Sequence, residues 1–241
     1  MKAENNTFLK GILDSIPIFL GYLSVSFAFG IFTVESGLGV LEALLISMTN
    51  VTSAGQLAAV PIIAGGGAFA ELAATQFIIN LRYALMSVSL SQKLHNKFTL
   101  LDRLLISFVN TDEVFAVASS KSGKVKKSYM YGLIIPPYLG WALGTLIGAA
   151  AGNILPSVVV TSLGVAIYAM FVAIVVPESK TNSNTALCVL FAVILSCLFN
   201  FVTFLKSIPA GFVIIICAIS ASAVFALLHP IDIIEEAQDN D

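Results

Sequence analysis

Long apolar runs constrain this sequence more than any other feature, because a membrane-spanning helix needs about 20 predominantly apolar residues. Seven runs reach or approach that length: 13–34, 40–63, 68–91, 128–151, 157–176, 185–205 and 209–228. Only 11% of the residues are charged, against about 25% in a soluble domain, so polar side chains are too few to cover a water-soluble core. The sequence therefore predicts a multi-pass membrane protein.

The predicted fold is an all-α polytopic membrane bundle of about seven transmembrane helices, forming a single domain over 1–241. The ten-residue alternating strands of a membrane β-barrel are absent from the sequence. A shorter helix is expected near 99–118, where the chain is too polar to cross the bilayer alone. The acidic tail 229–241 is expected to be a solvated end.

The distribution of basic residues predicts an orientation. Seven of the twelve Lys and Arg residues lie between positions 93 and 127, and basic loops face the cytoplasm. Three crossings before this segment would place the N-terminus outside, which is the topology we expect. If 40–63 instead enters the membrane and returns on the same side, the N-terminus is inside.

Three crossings on each side of the basic segment would also make two inverted three-helix halves, 11–91 and 128–205. Both halves open with the same Gly-Pro-Gly spacing, at Gly11, Pro17 and Gly21 and at Gly132, Pro136 and Gly140. Inverted repeats are common in secondary transporters, which bind substrate between the halves. Glycine and proline in apolar helices produce such echoes by chance, so the repeat stays open.

Glycine at every fourth position from Gly140 to Gly152 predicts a face for close helix packing.

Polar side chains inside the apolar runs are the candidate functional residues. In 68–91, a helical period places Glu71, Thr75 and Arg82 on one face, with Gln76, Asn80 and Ser87 opposite. A helix that is polar on two sides belongs inside the bundle, and Glu71 and Arg82 each need a partner on another helix. For Arg82, extension to the cytoplasmic interface is the alternative.

The run 40–63 carries a second polar group. A regular helix would align Glu42, Thr49, Ser53 and Gln56 on one face. The cluster from Asn50 to Gln56 contains Gly55 and is a candidate for an unwound stretch whose backbone binds ligand groups. Simple hydrogen bonding between helices is the other interpretation.

The third polar group lies at 110–113, where Asn110, Thr111, Asp112 and Glu113 separate two apolar runs. A threonine followed by two acidic residues is typical of a helix start. Two short helices that meet at Asn110–Thr111 and fold back into the bundle would also explain the apolar run before them. Acidic residues at such a junction are candidates for carrying protons or binding an amino group.

Several functional classes lack support in the sequence. Metalloprotease, serine hydrolase and phosphate-loop motifs are absent from it, so we expect no enzyme, no cofactor and no bound metal. The three cysteines lie inside apolar runs without metal-site spacing. With a net charge of −2, the chain also gives no reason to expect nucleic acid as a partner.

Three motifs suggest a family. "SAGQ" (53–56), "NLRYAL" (80–85) and "NTDEVFA" (110–116), with the glycine and proline pattern from Gly11 to Gly30, resemble the AzlC-like large subunit of bacterial branched-chain amino acid exporters. The resemblance covers about 10–228. It implies export of valine, leucine, isoleucine and often methionine across the bacterial cytoplasmic membrane, with a small AzlD-like membrane subunit. Thr52-Ser53 and Tyr83 depart from the family's usual Phe and His, which leaves the preferred amino acid open.

The residues suggest secondary transport as the mechanism. The substrate carboxylate would bind backbone amides near Ser53–Gln56 or Arg82, its ammonium would meet Glu42, Asp112 or Glu113, and one of these acids would couple export to protons. A passive channel for small neutral solutes and a non-transporting membrane scaffold are the alternatives.

Overall fold

The computed structural model describes residues 7–152 and 179–228, with 158, 172 and 175–177 between them. Throughout this part of the chain the regular elements are helices, and the one β-bridge joins Leu94 to Val125. The chain divides into two compact units, 1–171 and 172–241. The predicted all-α class is therefore confirmed for the described residues, whereas the single-domain assignment stays a prediction.

Two long helices form the centre of the first unit: α1, Phe8–Glu35, and α7, Lys127–Gly152. Thr7 begins α1 by accepting a hydrogen bond from the Lys10 amide at 3.2 Å. The glycines predicted to form a packing face lie against α1, and a methyl group at Gly148 would clash with the carbonyl oxygen of Phe27. The backbones are thus in direct contact, as small-residue faces allow.

The register shows that α1 and α7 run in the same direction. Gly132 faces Phe8, Gly140 faces Phe19, and Gly148 faces Phe27, so the residue numbers rise together along both helices. The predicted halves 11–91 and 128–205 require these two helices to run in opposite directions. The structure does not show these two inverted halves.

The expected span 40–63 is wrong, because it forms two short helices, α2 (Val40–Thr49) and α3 (Ser53–Ala64). The chain leaves the helical conformation at Asn50 (φ −135°, ψ 82°) and is extended at Thr52 (φ −143°, ψ 125°). Thr52 begins α3 by accepting a hydrogen bond from the Gly55 amide at 3.0 Å. We call residues 40–64 hairpin 1 and residues 50–52 its tip.

Helix α4, Phe69–Lys93, follows hairpin 1 and runs antiparallel to α3. Gln76 contacts Gly55 near the start of α3, whereas Glu71 lies beside Gly67 after its end. With 25 residues, α4 is long enough to cross a bilayer, since its rise is about 1.5 Å per residue.

The expected helix near 99–118 is a pair, α5 (Leu100–Phe108) and α6 (Asp112–Ser119). The predicted junction at Asn110–Thr111 is confirmed, and Thr111 caps α6 as its sequence indicates. Thr99 and Asp102 form a reciprocal cap at the start of α5. We call residues 100–119 hairpin 2 and residues 109–111 its tip.

Contacts at the ends of these helices define the orientation. Asp14, in the second turn of α1, pairs with Lys121 at 2.6 Å, and the Val125 amide donates to Lys93 at the end of α4 at 2.8 Å. The start of α1 therefore lies beside the basic segment, which the positive-inside rule places in the cytoplasm. The inside N-terminus, which the sequence left as the alternative, therefore fits the structure better than the outside one: with α4 as one crossing, hairpin 1 enters from the outer side and hairpin 2 from the cytoplasmic side.

In the second unit, α8 (Ser183–Phe201) and α9 (Ala210–Leu228) pack on each other, with the rings of Phe191 and Phe225 6.2 Å apart. Four described helices are long and apolar enough to cross a membrane, namely α1, α7, α8 and α9. The predicted span 157–176, for the most part, and the tail 229–241 lie outside the described residues. The count of about seven spans is therefore not confirmed.

Candidate functional site

The tips of the two hairpins lie at the same level of the α1–α7 pair and are linked through its aromatic side chains. The Tyr138 hydroxyl on α7 donates to the Met48 carbonyl at 3.2 Å, and its ring lies 6.2 Å from that of Phe108. Met48 precedes the tip of hairpin 1, and Phe108 precedes the tip of hairpin 2. Helices α3 and α6 therefore both begin at this depth, where each presents the positive end of its dipole.

Two further aromatic residues connect the tips. The ring of Tyr22 on α1 meets that of Trp141 edge-on at 4.8 Å. The Tyr22 hydroxyl donates to Glu113 in the first turn of α6, and the Trp141 indole donates to Gln56 in the first turn of α3 at 2.7 Å. One aromatic pair thus links the first turns of both inner helices.

Gln56 secures hairpin 1 to α7. Its amide nitrogen donates to Ser47 on α2 at 2.8 Å, and Ser47 shares a hydrogen bond of 2.5 Å with Thr145 on α7. Gln56, Ser47 and Thr145 are buried, at 0–1% exposure. Both ends of the Gln56 side-chain amide are thus bonded within the protein, which fits the interpretation as hydrogen bonding between helices.

An amide cluster lies behind the tip of hairpin 1. Gln76 on α4 donates from its nitrogen to the Gly55 carbonyl at 2.8 Å. Its oxygen accepts from Asn50 at 2.9 Å and from Asn80 at 3.1 Å. The structure therefore brings together four predicted site residues: Asn50, Gly55, Gln76 and Asn80. We call the three side-chain amides, those of Asn50, Gln76 and Asn80, the amide cluster.

A groove extends from the amide cluster between hairpin 1 and α4. Its volume is about 330 Å³, within the usual range of small-ligand sites. One part of its wall is apolar and the other carries neutral polar groups. The lining residues are Ile46, Thr49, Asn50, Ala59, Ile63, Leu72, Gln76 and Asn80.

A charged pair lies further along α4. One guanidinium nitrogen of Arg82 contacts both carboxylate oxygens of Asp112, at 2.7 and 2.6 Å. The other donates to the Tyr83 hydroxyl at 2.9 Å. The expectation that Arg82 has a partner on another helix is confirmed. Both side chains of the ion pair remain about half exposed, at 50% and 47%.

Glu113 has a different environment from Asp112. It accepts a hydrogen bond from Tyr22, and among the described residues no Lys or Arg nitrogen lies within ion-pair distance of it. Protonation of Glu113 therefore breaks no ion pair there, whereas protonation of Asp112 would release Arg82.

Two of the predicted residues, Glu42 and Glu71, lie apart from the tips. Glu42 lies in the first turn of α2 beside Gly39, and buried Glu71 lies in the first turn of α4 beside Gly67. Both are at the outer ends of their helices. The expected common face of Glu42, Thr49, Ser53 and Gln56 does not form, because the break at 50–52 reverses the chain. Ser53 begins α3 directly after the tip.

The base of hairpin 2 is held at the cytoplasmic side by two acidic residues that the sequence did not single out. Asp14 accepts from Tyr129 at 2.7 Å in addition to its ion pairs with Lys10 and Lys121. Asp102 accepts from Tyr131 at 2.6 Å and pairs with Lys127 at 2.7 Å. The hydrogen bond from Lys127, followed by those from Tyr131 and Thr99, holds the pKa of Asp102 below its ordinary value.

Sequence reasoning also missed the aromatic residues that connect the tips. Tyr22, Tyr138 and Trp141 combine an apolar ring with one polar atom, and such residues require a hydrogen-bond partner when buried. Trp141 is the single tryptophan of the chain, in the middle of an apolar helix. That position was the available signal.

Comparison with known proteins places the chain in a family. A family model described as "AzlC protein" matches residues 17–155, which include both hairpins and all of α7. The chain is 29% identical to the inner membrane protein YgaZ of Escherichia coli, over 78% of this chain and 79% of that protein. It is 32% identical to an uncharacterized membrane protein of Archaeoglobus fulgidus, over 74% and 78% of the two chains. No solved structure matches it. The chain is a membrane protein that belongs to the AzlC family.

Proposed function

We propose that this protein is a secondary transporter that exports branched-chain amino acids, namely valine, leucine, isoleucine and often methionine, across the bacterial cytoplasmic membrane. Export is coupled to protons and involves a small AzlD-like membrane subunit. The amino acid class and the small subunit come from the family resemblance. The transport mechanism comes from the arrangement of the hairpins.

The placement of the two hairpin tips at one level of the α1–α7 pair is the observation that carries the proposal. Non-helical backbone at membrane depth is tolerated where protein buries it or where it lines a water-filled cavity. Broken helices of this kind form the substrate and ion sites of many secondary transporters. Here one hairpin enters from each side, so separation of either hairpin from α1 and α7 would open the centre to one side only.

Glu113 is the acid that best fits proton coupling. It lies at the tip contact between α1 and hairpin 2, through its hydrogen bond to Tyr22. It can change its charge without breaking an ion pair, which Asp112 cannot. A proton on Glu113 would therefore alter the contact that holds hairpin 2 to α1.

The experiment that tests this function is efflux of labelled leucine and valine from loaded cells that produce the full chain, with and without the candidate small subunit. Collapse of the proton gradient should stop efflux. A flux that ignores the gradient and does not saturate would identify a passive channel. No efflux from cells with verified protein in the membrane would contradict the proposal and favour a scaffold.

A further inference from the structure

The groove between hairpin 1 and α4 has the chemistry of a site for an aliphatic amino acid. Ile46, Ala59, Ile63 and Leu72 supply apolar surface, whereas the amide cluster supplies hydrogen-bonding groups near the tip. None of the residues that line the groove carries a charge. A ligand with an apolar side chain and no net charge therefore fits it better than a charged one does.

The hydrogen bonds fix the orientation of the amide cluster. The Gly55 carbonyl can only accept, so the nitrogen of Gln76 must face it. The oxygen of Gln76 then faces both asparagines, and each must donate through its nitrogen. The Asn80 oxygen consequently points away from Gln76.

That oxygen has no hydrogen-bond partner in the described part of the chain, although it is buried. A buried acceptor without a donor is unfavourable, and an ammonium group could supply the missing donor. Protein atoms cover this oxygen, so ligand binding requires the Asn80 side chain to turn toward the groove. The start of α3 adjoins the cluster through Gly55 and offers a favourable potential to a carboxylate.

We propose that this groove is the amino acid site of the transporter, with the ligand ammonium on the Asn80 oxygen and the ligand side chain along Ile46, Ala59, Ile63 and Leu72. The inference rests on the proposed function for the class of its ligand. It adds that Asn80 recognises the ammonium and that Ala59 limits the size of the side chain. Charged amino acids are excluded because the groove offers no counter-charge.

The test is equilibrium binding of labelled leucine to the purified full chain, alone and together with the small subunit. Unlabelled alanine, valine, isoleucine and lysine serve as competitors. Asn80→Leu should weaken leucine binding roughly tenfold or more, because it removes the acceptor for a charged donor. Lysine should not compete with leucine at the wild-type site.

A second pair of variants separates recognition from folding. Ala59→Val adds bulk inside the groove and should lower the affinity for leucine relative to alanine by roughly tenfold. Ala58→Val is the matched control, because Ala58 is similarly buried on the same helix but does not line the groove. A ratio of affinities is insensitive to a loss of folded protein, which would lower both values together.

The possible outcomes separate this inference from the proposed function. A changed ratio of leucine to alanine affinity in Ala59→Val, with no change in Ala58→Val, would support the groove as the site even if cells showed no efflux. If Ala59→Val left the ratio of leucine to alanine affinity unchanged, with and without the small subunit, while cells showed gradient-driven efflux, the groove would not be the site. The proposed transport function would then remain supported. Equal competition by lysine, or no leucine binding in either preparation, would also overturn the groove as the site.

Discussion

At the scale of single residues, polar groups in this membrane protein have two distinct environments. Gln56 and Gln76 are both glutamines beside the tip of hairpin 1, and both use the two ends of their amides. Gln56 connects three helices in a fully buried network, whereas Gln76 belongs to a cluster that lines a groove. Burial and partners, rather than residue type, distinguish these two amides.

Replacement of Gln56 should reduce stability. Gln56→Leu removes the acceptor of the Trp141 indole and the donor to Ser47, so buried polar groups lose their partners. We expect a loss of roughly 1–3 kcal/mol, the usual cost of such a group, measured by chemical unfolding of the purified protein. Thr49→Val, at an exposed position near the same tip, is the control. Equal stability of Gln56→Leu and wild type would contradict a structural role.

The acids at the start of α6 should differ in transport. Glu113→Gln cannot carry a proton and should abolish the pH dependence of efflux. Asp112→Asn should retain that dependence, although Arg82 loses its ion pair and the rate of efflux falls. The measurement is the initial rate of leucine efflux against external pH. The reverse result, with pH dependence lost only in Asp112→Asn, would reassign the proton to Asp112.

At the scale of elements, helix breaks decide the architecture. Hydropathy predicted the positions of α1, α4, α7, α8 and α9, because each coincides with a long apolar run. It failed at 40–63, where apolar residues continue through the break and hydropathy cannot distinguish one crossing from a hairpin. The polar residues Asn50 and Thr52 supplied the relevant signal, as did Asn110 and Thr111 in hairpin 2.

The two hairpins are built alike. Each follows a long helix, and in each a threonine, Thr52 or Thr111, caps the inner helix. The long helices α1 and α4 run in opposite directions. The glycine and proline echo coincides with the close packing of α1 on α7, and it does not establish a repeat.

The contact between α1 and α7 should tolerate no added bulk. Gly148→Leu would press a side chain against the carbonyl of Phe27 and should destabilise the protein by at least about 1–3 kcal/mol. Gly21→Leu is the matched control, since nothing lies within 4 Å of a methyl group at Gly21 on α1. The measurement is the melting temperature of each purified variant. A similar shift for both would contradict the assigned packing face.

At the scale of the whole molecule, the topology follows from the parallel direction of α1 and α7. Parallel spans require an odd number of crossings between them, and α4 supplies one. Charge asymmetry predicted the cytoplasmic side of the basic segment. The location of the N-terminus could not be predicted in the same way, because it depends on the number of crossings and therefore on the break in hairpin 1.

Cysteine labelling in intact cells tests this topology. In a background without Cys188, Cys197 and Cys217, Ser36→Cys between α1 and hairpin 1 should react with an impermeant reagent from outside. Ser120→Cys at the end of hairpin 2 should react only after the membrane is opened. Labelling of Ser120→Cys from outside would reverse the assigned orientation. Labelling of both positions from the same side of the membrane would contradict the single crossing by α4.

Flux in proteoliposomes shows whether the two opposed hairpins form a proton-coupled amino acid transporter. The purified chain, together with its candidate small subunit, is reconstituted with labelled leucine inside, and a pH gradient is imposed. We expect saturable leucine efflux that follows the gradient and loses its pH dependence in Glu113→Gln. A flux that does not saturate and ignores the gradient, or no flux from correctly inserted protein, would contradict this proposal.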